Sequence, residues 1–184
     1  MNIFDPCDLP VINGEKVSLR PIAREDTPLI VAWRNKPSVY RHFIFRQPFT
    51  RQLHENWLKT RVDTGKVIQY IIMENPSRRP IGSVYFRDLD PENESAEYGI
   101  FIGEEDCLGR GLGTETAKLF VRFGLDVLKL HRISLRVLGG NDIARRSYEK
   151  AGFVTEGVFK DMVKLDGKYR DLSFMAIINE EGET

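Results

Sequence analysis

The 184-residue chain is 41% apolar and 29% charged, which suits one globular domain with a real core, so a single domain over 1–184 is expected, with its core at about 17–178. Lys plus Arg balance Asp plus Glu at 27 each, so no molecule-wide positive field points to nucleic acid or to an anionic membrane. No apolar run approaches the roughly 20 residues of a bilayer span and no signal pattern opens the chain, so a cytoplasmic protein is expected; Cys7, Cys107 and the scattered His42, His54 and His131 imply neither a disulfide framework nor a metal.

In chain order, Val17 to Arg20 alternates as a short strand, and Arg24-Glu25-Asp26 opens a helix through Trp33. A second helix starts near Thr50, with Leu53, Trp57 and Leu58 on one face. Val67 to Met73 and Ile81 to Arg87 are β-rich runs around the turn Asn75-Pro76-Ser77, which suits an antiparallel pair, and Tyr98 to Ile102 is the next strand. Leu112 to Leu130 repeats apolar residues at helical spacing. Arg132 to Val137 then alternates strictly as a strand with one face inward, giving a parallel strand-helix-strand unit. Asn141 to Ala151 is a helix stopped by Gly152, and Phe153 to Lys164 and Lys168 to Ile178 close a hairpin over Asp166-Gly167.

Between the strand ending at Ile102 and the long helix lies Leu108-Gly109-Arg110-Gly111-Leu112-Gly113. Alternate glycines let the backbone turn sharply, and the unpaired N–H groups of a helix start, its dipole and Arg110 together suit a phosphate or pyrophosphate. A turn that merely connects two elements explains the glycines as well. A P-loop is excluded because Thr114, not lysine, follows Gly113; the dinucleotide fingerprint is disfavoured because the glycines alternate and Thr114 takes the place of the last.

Three blocks in order, Glu97-Tyr98-Gly99-Ile100-Phe101-Ile102, the Leu108 to Gly113 loop, and Asn141 to Phe153 with Ala144, Ser147, Tyr148 and Gly152, resemble the signature of the GNAT N-acetyltransferases. The resemblance spans about 17–178 and is nearest the branch of Rim-type protein N-terminal, spermidine and amino-sugar-nucleotide acetyltransferases. Leu108 stands where that signature has Gln or Arg, which tunes a site made mostly of backbone amides. The resemblance implies an α/β fold with a mixed, mostly antiparallel sheet of about seven strands, the fourth and fifth splayed apart, flanked by about four helices. It also implies acetyl-CoA as cosubstrate, with pantetheine between the splayed strands and pyrophosphate on the loop. The implied cofactor-binding residues are Phe101, Ile102, Leu108, Gly109, Arg110, Gly111, Leu112, Gly113, Thr114, Asn141, Ala144, Arg145 and Tyr148. No metal is implied.

An alkylammonium with pKa near ~10 must lose a proton before it attacks a thioester. Glu97 is the candidate base, although a carboxylate at a strand end is as readily just solvated. A backbone N–H near Phe101 or Ile102 is the oxyanion donor, and Tyr148 is the acid for the thiolate, with a buried packing tyrosine as its alternative reading. Cys107 has no adjacent histidine to activate it for a covalent route. From Arg20 to Lys66, ten Lys/Arg (Arg20, Arg24, Arg34, Lys36, Arg41, Arg46, Arg51, Lys59, Arg61, Lys66) face four acids (Glu25, Asp26, Glu55, Asp63). That surface repels a polycation and steers an acidic or phosphorylated amine. Trp33, Tyr40, Phe43, Phe45, Phe49 and Trp57 interleave with those charges as core or as stacking platforms. The expected acceptor is a protein N-terminus or a nucleotide-linked amino sugar, with spermidine as the alternative, and the chain acts as a monomer or homodimer. A non-catalytic acyl-CoA sensor and a nucleotide-binding regulatory module are the rival classes.

Overall fold

The computed structural model describes residues 9–44 and 46–180; Cys7 and Phe45 lie outside them. Strands β1 (Ile12–Asn13), β2 (Val17–Pro21), β3 (Val67–Glu74), β4 (Arg79–Asp90), β5 (Ser95–Ile102), β6 (Arg132–Leu138), β7 (Val154–Leu165) and β8 (Lys168–Ile178) form one sheet in the order β1-β2-β3-β4-β5-β6-β8-β7. Only β5 and β6 run parallel. Helices are α1 (Thr27–Arg34), α2 (Pro37–Tyr40), α3 (Arg51–Trp57), α4 (Leu112–Asp126) and α5 (Asp142–Lys150). No helix among the described residues is long and apolar enough to cross a membrane.

The mixed, mostly antiparallel sheet expected from the resemblance is present, with eight strands and five α-helices among the described residues rather than about seven and four. The additions, a two-residue strand and a four-residue helix, are too short to carry a hydrophobic period. Helix α1 starts at Thr27 because Asp26 is bound up in a tighter turn: its carboxylate accepts from the Ala23 amide and both Arg20 guanidinium nitrogens. Helix α4 ends at Asp126, four residues before Leu130. Lys129 takes a left-handed φ of 56°, which turns Leu128 and Leu130 into the core without continuing the helix.

Strand β3 is central and buried throughout except at Met73, which is why its sequence is nearly continuous in apolar residues. Its faces divide the molecule. Tyr70 and Ile72 join Phe86, Phe120 and Phe123 under α4, where Phe86 and Phe120 stack at 4.2 Å. Ile71 and Met73 instead meet Ile30, Trp33 and Phe101 under α1 and α2. Gly103, just past β5, lets the Trp33 ring lie against the backbone, since a Cβ there would meet the ring at 2.2 Å. The Trp33 indole N–H then donates to Glu104 at 2.6 Å, fixing the N-terminal helices over the end of β5.

Candidate active site

Strands β5 and β6 pair only from Ser95 with Arg132 to Glu97 with Ser134. Beyond that point β5 pairs with β4 alone and β6 with β8 alone, which opens a gap in the sheet. The Gly103 N–H donates to the Ile81 carbonyl at 2.7 Å, on the β4 side. By strand alternation Phe101 also faces β4, whereas the peptide groups of Tyr98, Ile100 and Ile102 face the gap. Of the two amides anticipated as oxyanion donors, that of Ile102 is thus the one aimed into the gap.

Glu97 sits where the strands part. Arg87 of β4 donates to its Oε1 at 2.5 Å, and Arg136 of β6 reaches Oε1 and Oε2 at 3.1 and 3.0 Å. Both carboxylate oxygens are therefore engaged by guanidinium groups, a clamp across three strands. Sequence reasoning missed Arg87 and Arg136 because only strand register brings them to Glu97.

The glycine loop has the form its sequence predicts. Gly109 and Gly111 take left-handed φ of 73° and 80°, with open space where a Cβ would stand. Gly111 is the N-cap of α4, and no side chain caps the helix start. Backbone donors thus stay available to an anion, and the fit to a pyrophosphate is good. The Thr114 hydroxyl lies 2.8 Å from that of Ser147, tying the start of α4 to α5. Arg110, by contrast, leaves the loop to pair with Glu74 at 2.6 Å and does not line the cavity. The buried Cys107 thiol accepts from Arg79 at 3.2 Å, and burial holds it above its ordinary pKa.

On α5, Asn141 is the N-cap and its Oδ1 accepts from the Ala144 amide at 3.4 Å, leaving its side-chain amide toward the cavity. Ala144 and Tyr148 pack toward the core. Tyr148 meets Tyr98 edge-on at 6.0 Å, and burial raises its hydroxyl well above the usual phenol range. The resemblance implies Arg145 at the cofactor. It instead pairs along the outer face of the helix with Glu149 at 2.6 Å and Asp142 at 3.5 Å, and Arg146 lines the cavity in its place.

These residues border one cavity of about 1660 Å³, larger than a drug-sized pocket and sufficient for a nucleotide thioester together with an amine. Phe101, Ile102, Leu108, Gly109, Gly111, Leu112, Gly113, Thr114, Asn141, Ala144, Tyr148 and Glu97 all line it. Its other half is walled by α1 to α3 and β4. There Arg34 stacks on Phe43 at 3.4 Å and faces Phe49 at 4.9 Å, and burial lowers its guanidinium from the ordinary value. His54 shares a bond of 2.9 Å between Nδ1 and the Thr27 hydroxyl, and burial brings it down to about 4, so its ring is neutral. Of the six interleaved aromatics, Trp33 is core, Trp57 donates to Gln69 at 2.8 Å, Phe43 and Phe49 hold Arg34, and Tyr40 is exposed. Among the described residues the cavity is lined by six arginines (34, 41, 61, 87, 136, 146) and Lys150, against two acids, Glu97 and Asp142.

A mixed sheet that parts between two parallel strands, beside an uncapped glycine-rich helix start, defines an acyltransferase working on a nucleotide-bearing thioester. The chain belongs to the GNAT acetyltransferases: residues 16–154 match the Acetyltransferase (GNAT) domain. It is similar to the spermidine N(1)-acetyltransferase of Escherichia coli (strain K12), 28% identical over 169 residues that cover 92% of this chain and 89% of that one. It is also similar to the probable N-acetyltransferase YjcK of Bacillus subtilis (strain 168), 32% identical over 124 residues, 67% of this chain and 68% of that one. Among solved structures, the spermidine N-acetyltransferase from Vibrio cholerae in complex with CoA and spermine shares the fold, with a TM-score of 0.82 at 23% identity over 90% of this chain and 96% of that one. The protein is an acetyl-CoA-dependent N-acetyltransferase.

Proposed function

We propose that the chain, acting as one domain over 1–184, passes acetyl from acetyl-CoA directly to the primary amine of its acceptor in the gap between β5 and β6. The observation that carries this is the parting of the two strands after Glu97 and Ser134, which leaves the Ile100 and Ile102 peptide groups facing an open cavity. Acetyl-CoA supplies an activated carbonyl and a thiolate leaving group. The backbone from Gly109 to Thr114 holds pyrophosphate at the start of α4, and the Asn141 amide and the strand edges meet the pantetheine amides. The Ile102 N–H donates to the oxyanion that develops as the N–C bond forms. As the C–S bond breaks, Tyr148, held protonated by burial, gives its proton to sulfur and takes up the second proton that the nitrogen sheds in becoming an amide. The ammonium proton leaves through a water at Glu97, whose own oxygens are already shared by Arg87 and Arg136. Cys107, a buried thiol without a histidine in contact, takes no covalent part.

A protein N-terminus and a nucleotide-linked amino sugar both present a suitable amine. A polyamine is the second reading, favoured by relatives in E. coli and V. cholerae named as spermidine acetyltransferases. The lining argues against it, because each additional unit of like charge at ~6 Å costs about 3 kcal/mol at an effective dielectric near 20. Titration with acetyl-CoA followed by thiol release over a panel of amino-sugar nucleotides, peptides and polyamines tests the proposal. Uptake of acetyl-CoA with amine-dependent thiol release is expected; no uptake, or uptake with no release for any amine, refutes it.

A further inference from the structure

Four buried side-chain polar atoms have no hydrogen-bond partner among the described residues: Arg34 Nε, Ser38 Oγ, His54 Nε2 and Tyr98 Oη. All four belong to residues lining the cavity described above. A buried polar atom without a partner is destabilising, and a charged one more so, which makes their convergence on a single space informative. Three of them, on Arg34, Ser38 and His54, come from the α1 to α3 half, away from the glycine loop.

Arg34 is the centre of this group. Its guanidinium is stacked on Phe43, and Phe49, which it also faces, lies 6.1 Å from the His54 ring. Acids on the surrounding elements are committed elsewhere, Glu55 to Arg51 among them. Asp26 is bound by Arg20, Glu104 by Trp33 and Lys36, and Glu97 by Arg87 and Arg136. Among the described residues Arg34 is therefore a desolvated cation with no anion to meet it. Because the ring of His54 is neutral, its Nε2 donates when Nδ1 accepts from the Thr27 hydroxyl, and the Ser38 hydroxyl is a donor as well. A planar guanidinium fork with two neutral donors beside it matches an oxyanion with several lone pairs.

We infer that the amine acceptor carries an anionic oxygen group, a carboxylate or a phosphate, which docks on Arg34 with Ser38 and His54 as supporting donors. This rests on the acetyl-transfer reading for its chemistry but not for its binding. It makes specificity a matter of charge at the far end of the acceptor, and it excludes a polyamine.

The test uses the full-length protein saturated with coenzyme A, so that the nucleotide site is filled. Equilibrium binding is compared for two matched pairs, glucosamine 6-phosphate with glucosamine and β-alanine with β-alaninamide; the pair that discriminates tells phosphate from carboxylate. A charge-assisted contact predicts that the anionic member of at least one pair binds about 10- to 100-fold more tightly. Arg34→Met, which keeps the stem on Phe43, should abolish that ratio, and Arg34→Lys should keep part of it, with coenzyme A affinity and melting temperature reporting that each variant is folded. Equal binding within both pairs, tighter binding of spermidine than of any anionic amine, or a ratio that survives in a folded Arg34→Met overturns the inference. Anion binding in a protein that acetylates no amine refutes the acetyl-transfer reading and leaves the anion site standing.

Discussion

Replacing Tyr148 with Phe removes one oxygen from the gap. The ring stays edge-on to Tyr98 at 6.0 Å and to Phe153 at 5.9 Å, and the hydroxyl makes no hydrogen bond among the described residues that folding would lose. Stability should therefore change by less than about 1 kcal/mol, within the range of a substitution that leaves packing intact. The chemical step is different. A positioned general acid contributes about 10²- to 10⁴-fold, which is about 3 to 5 kcal/mol of barrier, and the acetyl group departs from a sulfur with no other protonated side chain assigned to it. We expect kcat to fall at least about 100-fold while the dissociation constant for acetyl-CoA stays within about twofold, because the lost contact is used only as the C–S bond breaks. Thiol release at saturating acetyl-CoA measures the first quantity and calorimetric titration the second. Because burial holds this hydroxyl above the ordinary phenol range, the wild-type profile should also show no falling limb below pH ~10. A Tyr148→Phe protein that turns over at the wild-type rate, or one whose loss lies wholly in acetyl-CoA affinity, would show that Tyr148 only packs.

Gly111→Ala places a methyl group in open space at a φ of 80°, so strain rather than collision is the cost. About 1 kcal/mol is expected, a fall in melting temperature of about 2–4 °C, with acetyl-CoA binding weakened about tenfold as the backbone donors of α4 are displaced. A thermal scan and a titration report both, and unaltered affinity would remove the loop from the nucleotide site. His54, brought down to about 4 by burial, binds its proton less readily in the folded chain than the ~6.5 of an unfolded histidine. Between those values the unfolded chain holds more protons, so His54 destabilises the fold progressively as pH drops from about 6.5 to 4, by at most about 3 kcal/mol, and has no effect above that window. Denaturant midpoints at pH 7 and 5 should therefore differ less in His54→Asn than in the wild type; an equal difference would exclude this linkage.

Much of the fold is legible because hydrophobic period and turn chemistry are local. The alternation of Arg132 to Val137, the buried run from Val67 and the Asp166-Gly167 turn each mark an element that is present. The glycine loop was legible for the same reason, since the left-handed φ at Gly109 and Gly111 is a property of those residues. What is lost is whatever depends on where a long side chain ends. Arg110 stands in the loop by sequence, but its guanidinium finds Glu74, an acid on β3 that no local pattern connects with it. Arg145 and Arg146 are neighbours in sequence, and helical geometry sends one to Glu149 and the other to the cavity. In the sequence Arg34 is one of ten basic residues; only tertiary packing shows that it stacks on Phe43 and faces Phe49 without an anion among the described residues.

The placement of Glu97 explains why one acid sits among so many arginines. Parallel pairing of β5 and β6 ends at Glu97 and Ser134, and the Arg136 guanidinium on β6 and the Arg87 guanidinium on β4 meet on the Glu97 carboxylate at that point. Without the acid, two guanidinium groups would face each other at the mouth of the gap and repel. With it, the three strands are held together where the sheet would otherwise unzip further, so the width of the gap is set by a side-chain clamp as well as by backbone register. In the proposed reaction the proton acceptor at this position is then a water beside the clamp. With Glu97 committed to that clamp, Arg34 is a buried cation on the cavity wall with no acid partner among the described residues, and the proposed acceptor recognition falls to α1.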